Sequence, residues 1–267
     1  MSVDREVAII TGAANGIGLA TAEAFGRAGF AVALVDLDAG ETVAAAGSIA
    51  EKTGAPTFAT AASVSNFEDS RGAHAAIVDA LGPVAVLVNN AGIVVRQKGR
   101  LEEISQSEID EMMAIHVGGT LNWTRLVVPD MRSAGYGRIV NLSSCNAIAA
   151  VPYRIAYVTA KKAIQGVTEA LAMETARAGI TVNAIAPGYI LTDSLRRRAE
   201  AGILDQSAIA ERTPVGRWGR AEEIADAAVF LASRKSSFIT GTTLVVDGGL
   251  TVRGDSGEDL ENSPLAS

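Results

Sequence analysis

Short apolar runs recur along the chain at Val7–Ile10, Ala31–Val35, Val84–Val88, Arg138–Leu142, Thr181–Ala186 and Thr243–Val246. Each run is continuous, which is the pattern of a strand buried on both faces of a parallel sheet. Thr57–Ala61 is a weaker run of the same kind. Longer amphipathic stretches lie between them and predict helices over Gly18–Ala28, Gly40–Lys52, Asn66–Leu81, Ser107–Met131, Tyr153–Ala178 and Glu222–Ala232. This alternation predicts an α/β protein, a Rossmann-type doubly wound parallel sheet, in a single domain over residues 1–252. Residues 189–220 break the alternation with an Arg-rich segment ended by Pro214 and Gly216, which reads as a flap over a site. Residues 253–267 carry four acids and one base and read as an acidic, solvated tail.

Composition narrows the classes. Hydrophobic residues at 48% and charged residues at 20% describe a folded globular chain, and 4% aromatics call for an aliphatic core. A net charge of −7 argues against nucleic acid and acidic membranes as partners. Cys145 is the only cysteine, so an intramolecular disulfide and a cysteine-based zinc site are excluded. The N-terminus lacks a basic leader, and the longest uncharged stretches, Val7–Ala22 and Ala80–Val95, are too short and glycine-rich for a spanning helix. The expectation is a cytoplasmic protein without a metal, since His74 and His116 fall on separate predicted helices.

The first strand leads into Thr11-Gly12-Ala13-Ala14-Asn15-Gly16-Ile17-Gly18, and a helix follows. Glycines there permit a tight turn, close approach of backbone to a pyrophosphate, and close helix–strand packing, with the phosphate at the positive helix end. A plain glycine-rich connection is the simpler alternative, and the strand–turn–helix context argues for a dinucleotide. Asp36, followed by Leu37, ends the second strand. A carboxylate there accepts from both adenosine ribose hydroxyls and repels a 2′-phosphate, so NAD is favoured over NADP. Asp38 fits better as the cap of the next helix.

A second constellation follows the strand Arg138–Leu142. It comprises Ser143-Ser144, then Tyr157, and Lys161 one helical turn on. An ammonium beside a phenol favours phenolate, which makes tyrosine a general acid/base near neutral pH. Serine at a strand end can hold a substrate oxygen.

The turn Thr11-Gly12-x-x-x-Gly16-x-Gly18 and the pair Tyr157-x-x-x-Lys161 resemble those of the short-chain dehydrogenase/reductase family. Further matches are Asn89-Asn90-Ala91-Gly92, Pro187-Gly188, Pro214-x-Gly216-Arg217 and Val246-Asp247-Gly248-Gly249. The resemblance runs from about Arg5 to Gly249. It implies Ser144, Tyr157 and Lys161 as catalytic residues and Gly12, Asn15, Gly16, Ile17, Gly18, Asp36 and Leu37 at the dinucleotide. It also implies Asn90 and Gly92 along its ribose, Ser63 and Val64 at adenine, and Pro187, Gly188, Ile190 and Thr192 at the nicotinamide, with Tyr157 and Lys161 on the nicotinamide ribose. Hydride transfer at the B face and a homotetramer follow from the same resemblance.

Two positions depart from the family pattern. His116 stands where the family commonly has an asparagine that helps link the lysine to solvent through water. A histidine in that relay is expected to stay neutral beside Lys161 and to shape the acid limb of activity; a packing substitution is the alternative. Ser63 replaces a common aspartate at the adenine. Cys145 has no base in the motif and reads as a pocket or packing residue. Arg196–Arg198 read as a solvated helix face or an anion clamp.

The expected function is an NAD-dependent alcohol dehydrogenase or ketone reductase acting on a small molecule. The alternatives are an NADP-dependent 3-oxoacyl carrier-protein reductase and a non-catalytic dinucleotide sensor. Val94, Val95, Asn146, Val151, Tyr153, Tyr189 and residues 193–212 are the expected pocket.

Overall fold

A computed structural model of the protein describes residues 5–94, 98–201 and 206–252, without the side chains of Ser194 and Arg198. Val95, part of the flap and the acidic tail lie outside the described residues. Seven strands form one sheet: β1 (Val7–Thr11), β2 (Ala31–Asp36), β3 (Thr57–Ala61), β4 (Val84–Asn89), β5 (Gly137–Leu142), β6 (Ile180–Pro187) and β7 (Thr243–Val246). They pair in parallel in the order β3-β2-β1-β4-β5-β6-β7. The weak run Thr57–Ala61 is a genuine strand, and its half-exposed residues fit its place at the sheet edge.

The double burial expected of continuous apolar runs is visible along β1. Ala8 and Ile10 face one core with Phe25, Ile49, Ile224 and Leu231. Val7 and Ile9 face the other with Ile77, Trp123, Val127 and Met131. The first core is roofed by α1 (Gly16–Arg27), α2 (Ala39–Thr53) and α9 (Ala221–Ala232). The second is roofed by α3 (Phe67–Leu81), α5 (Gly119–Ala134) and α6 (Ile155–Thr175). Each fully buried large side chain stabilises the fold by roughly 1.5–3 kcal/mol, so the two layers hold the strand ends rigidly.

The predicted helix Ser107–Met131 is three pieces: α4 (Gln106–Met112), a π-helical turn over Met113–Gly118, and α5. The π turn inserts a residue into the ladder and rotates the side chains beyond it, a distortion frequent at functional sites. His116 lies inside it. The helix expected from Tyr153 begins at Ile155, because Tyr153 itself sits at φ 63. The flap carries two helices, α7 (Asp193–Glu200) and α8 (Gln206–Arg212).

Candidate active site

The chain reverses its direction of travel across the sheet between β1 and β4, where a crevice forms at the carboxyl ends of the strands. The glycine-rich turn after β1 lies on this crevice. Gly12 and Gly16 hold φ values of 64° and 56°, which a side chain would strain. A Cβ on Gly18 would overlap the Gly12 carbonyl oxygen, so the turn closes directly onto α1. Asn15 caps α1 by position but makes no side-chain cap, and the first turn holds no acid, leaving the helix start open to an anion.

Asn90 braces this turn from the neighbouring strand. Its amide nitrogen donates to the carbonyls of Thr11 and Gly12, each at 2.9 Å. The Thr11 hydroxyl oxygen accepts from the Asn90 and Ala91 amides, both at 3.1 Å. Thr11 and Asn90 thus lock the β1 and β4 loops together, a role the motif alone did not disclose.

Asp36 closes the far side of the crevice. Its carboxylate accepts from the Ala14 amide at 2.9 Å and the Leu37 amide at 2.7 Å, which fixes its orientation and leaves further lone pairs. Asp38 caps α2 as expected, accepting from the Glu41 amide. Ser63 pairs with Ser65 at 3.0 Å, and Val64 packs so closely on α5 that a Cβ on Gly119 would lie 2.7 Å from it. These contacts fit an adenosine lying from Asp36 toward Val64 and a pyrophosphate at Gly12–Gly18.

Beyond β6, Gly188 has no room for a side chain against Asp247. Ile190 is buried and bridges to Gly219, while a Cβ on Gly16 would lie 3.3 Å from the Thr192 methyl. The start of the flap therefore reaches across to the glycine-rich turn. A cavity of about 150 Å³ lies beside it, lined by Tyr189, Thr213, Arg217 and Asp247 among others. It sits behind the flap and does not include Ser144 or Tyr157.

Ser144, Tyr157 and Lys161 converge at the end of β5. Ser144 is buried and its hydroxyl accepts from the Asn146 amide at 3.1 Å. Lys161 is buried, and its Nζ donates to the Leu142 carbonyl at 2.7 Å and stands 5.9 Å from the centre of the Tyr157 ring. Ser143 fastens α6 to β5 by donating to the Lys161 carbonyl at 3.0 Å. Burial pushes the Lys161 ammonium down to about 7. Burial also raises the Tyr157 phenol, opposed by a hydrogen bond with Ser144 and the charge of Arg154. In Tyr157 desolvation outweighs the contributions that favour the phenolate.

His116 is buried and its ring meets Tyr157 edge-on at 5.7 Å. Nε2 lies 3.0 Å from the Ile93 carbonyl oxygen and 3.3 Å from the Ile93 amide nitrogen. Nδ1 is buried without a protein partner among the described residues. A Cβ on Gly92 would overlap the imidazole, so Gly92 is small to admit it. Burial, then the Lys161 charge, pull the imidazole down to about 3. It is neutral as expected, but at that value it does not set an acid limb near pH 6.

Of the remaining candidates, Cys145 is buried and its thiol is pushed up by burial, consistent with packing. Asn146 is buried next to it, while Val94 and Tyr153 are exposed. Arg196 and Arg197 are exposed, Arg196 lying 3.9 Å from Asp193. Among the described residues no three His, Cys, Asp or Glu side chains gather as a metal site, and no helix is long and apolar enough to cross a membrane. Arg154 emerged only from the structure; the sequence offered no spacing to single it out.

Comparison with known proteins agrees with this geometry. The family model described as Enoyl-(Acyl carrier protein) reductase matches residues 12–251. An acetoacetyl-CoA reductase of Paracoccus denitrificans is 40% identical over 238 residues, covering 89% of this chain and 95% of the relative. A gluconate 5-dehydrogenase of Gluconobacter oxydans is 37% identical over 246 residues, covering 92% of this chain and 94% of the relative. The crystal structure of a levodione reductase superposes with a TM-score of 0.87 at 30% identity, covering 93% of this chain and 98% of that one. The chain is a member of the short-chain dehydrogenase/reductase family, whose oxidoreductases work with a nicotinamide dinucleotide.

Proposed function

We propose that this protein is an NAD-dependent oxidoreductase interconverting a secondary alcohol and a ketone. The observation that carries the reading is the meeting of Tyr157, Ser144 and Lys161 at the end of β5, on the crevice that the glycine-rich turn borders. The similar proteins named above are dehydrogenases and reductases, which supports it.

Gly12, Asn15, Gly16, Ile17 and Gly18 hold the pyrophosphate, Asp36 and Leu37 the adenosine ribose, and Ser63 and Val64 the adenine. Asn90 and Gly92 line the path to the nicotinamide, where Pro187, Gly188, Ile190 and Thr192 lie, with Tyr157 and Lys161 on its ribose. When bound, the dinucleotide accepts or returns the hydride. Tyr157 takes the alcohol proton in oxidation and returns it in reduction. Ser144 donates to the substrate oxygen and stabilises it as the carbonyl develops. Lys161 anchors the ribose and, when charged, favours the phenolate. His116 occupies the relay position, its Nε2 held on Ile93 and its Nδ1 left to hydrogen-bond a water in the link between Lys161 and solvent.

Asp36 supports NAD over NADP, since its fixed carboxylate meets the place of a 2′-phosphate and no Lys or Arg follows β2. The flap over 189–220 covers the substrate, and the protein is a cytoplasmic homotetramer. Exposed large apolar side chains, among them Phe230, Phe238, Met173 and Val245, support association. Initial rates with NAD and NADP across secondary alcohols and ketones, with light scattering for mass, test the reading. Oxidation with NAD by a tetramer is expected. Reduction of 3-oxoacyl thioesters with NADPH alone contradicts it, as does dinucleotide binding without turnover.

A further inference from the structure

The flap is tied to the body of the protein at two places, and both ties hold its ends rather than its helices. At the first, Ile190 and Gly219 form a parallel bridge. The Leu191 amide donates to the Gly219 carbonyl and the Gly219 amide to the Tyr189 carbonyl, each at 2.9 Å. At the second, the Val215 amide donates to the Gly248 carbonyl at 3.2 Å. Gly248 holds φ 64°, and a Cβ there would lie 2.8 Å from Val215 and 2.9 Å from Thr213, so the returning stem lies directly on the end of β7. The stem 213–219 is therefore fixed, while α7 and α8 extend between the two ties.

α8 buries none of its residues. A segment with so few buried contacts lies at the low-stability end of a fold and opens locally. Trp218 reaches it from the fixed stem. Its ring is buried, and the indole Nε1 donates at 3.0 Å to the carbonyl of Gln206, the first residue of α8. The same ring meets Tyr189 with centroids 5.7 Å apart and planes at 62°, so it rests on the opposite end of the flap. Tyr189 and Thr213 also line the cavity of about 150 Å³, so the space behind the flap is not packed solid. When α8 moves away, the indole N–H is left buried without its acceptor, a cost that resists the movement.

We propose that Trp218 is a positioning residue: its indole hydrogen bond latches α8 onto the stem of the flap and so sets how the flap lies over the substrate end of the crevice. It acts through the Gln206 carbonyl and the Tyr189 ring rather than on the reacting atoms. The latch stands on the geometry of the flap, and its effect on turnover rests on the dehydrogenase reading. Loosening it weakens retention of the alcohol under the flap, while the dinucleotide keeps its contacts at the glycine-rich turn and Asp36.

The test compares wild type with Trp218→Phe, which keeps a ring against Tyr189 and removes the donor. The full chain is digested briefly with trypsin, and cleavage after Arg196, Arg197 and Arg212, all exposed on α7 and α8, is followed by mass spectrometry. Proteolysis at such sites tracks the population of the opened segment. One neutral hydrogen bond is worth roughly 2- to 10-fold in an equilibrium, so cleavage in the flap should rise by about that factor, with the melting temperature and cleavage elsewhere unchanged. KM is then measured, with NAD, for whichever of 2-butanol, 2,3-butanediol, cyclohexanol and gluconate is turned over fastest. It should rise by a similar factor, with kcat and the Kd of NAD unchanged. Unchanged flap cleavage, or a rise matched along the whole chain by a lower melting temperature, overturns the latch. An unmoved KM on an alcohol that is turned over overturns the positioning role. Faster flap cleavage in a protein that turns over none of these alcohols upholds the latch and counts against the dehydrogenase reading instead.

Discussion

The imidazole of His116 stands edge-on to the phenol of Tyr157, the planes meeting at 86° with centroids 5.7 Å apart. A π-helical turn places it there, and Gly92 makes the room. One packing unit therefore joins the loop after β4, the distorted helix and the tyrosine.

Gly92→Ala drives a methyl into the imidazole and should destabilise the protein by about 1–3 kcal/mol. His116→Asn shortens the opposing side chain and should restore much of that loss. Denaturant unfolding of the two single variants and the double variant gives the coupling. Simple additivity contradicts the direct contact.

The pH dependence of stability follows from the depressed imidazole. His116 ionises near 3 in the folded protein, against an ordinary value of 6.5. The unfolded chain binds the proton first as pH falls, so stability is lost progressively from about pH 6.5 downward, at up to about 1.4 kcal/mol per pH unit from this group. His74, also depressed by burial, adds a slope of the same sign. Melting temperatures between pH 7 and 4.5 should fall less steeply for His116→Asn than for wild type. Parallel curves contradict a buried, neutral His116.

Lys161 is held for chemistry at some expense to stability. It ionises near 7 because it is buried, so at pH 6 the fold carries a charged ammonium hydrogen-bonded to the Leu142 carbonyl. Lys161→Met should lower kcat/KM at least about 10²-fold, the usual scale for acid–base machinery, while its melting temperature at pH 6 equals or exceeds that of wild type. A marked fall in melting temperature identifies the amine as a structural support.

Asp36→Ala should weaken NAD and admit NADP. Losing a charged hydrogen bond costs about 1.5–3 kcal/mol, so the NAD-to-NADP ratio of kcat/KM should drop by roughly 10-fold or more. A wild-type preference for NADP contradicts the role given to Asp36.

The sheet was legible because burial on both faces leaves continuous apolar runs, as in β1, whose alternate residues feed two cores. The glycine-rich turn was legible because backbone geometry there excludes side chains. The π turn was not, since inserting one residue changes the hydrogen-bond ladder without changing which residues are apolar. Tyr153 looked helical because its left-handed φ is imposed by the surrounding chain and leaves no mark in residue type. Asn90 matched a motif, yet its grip on the Thr11 and Gly12 carbonyls arises from strand order, which brings β1 beside β4. The raised Tyr157 phenol depended on burial that spacing alone cannot convey.

The most direct measurement is the rate of NAD reduction by Tyr157→Phe on the best alcohol substrate, alongside NAD binding by the same variant. The phenyl ring keeps the contact with His116 and removes only the hydroxyl. The account predicts a kcat lowered by about 10²–10⁴-fold with NAD affinity within a few-fold of wild type. A kcat close to wild type contradicts the assignment of Tyr157 as the proton-transfer group.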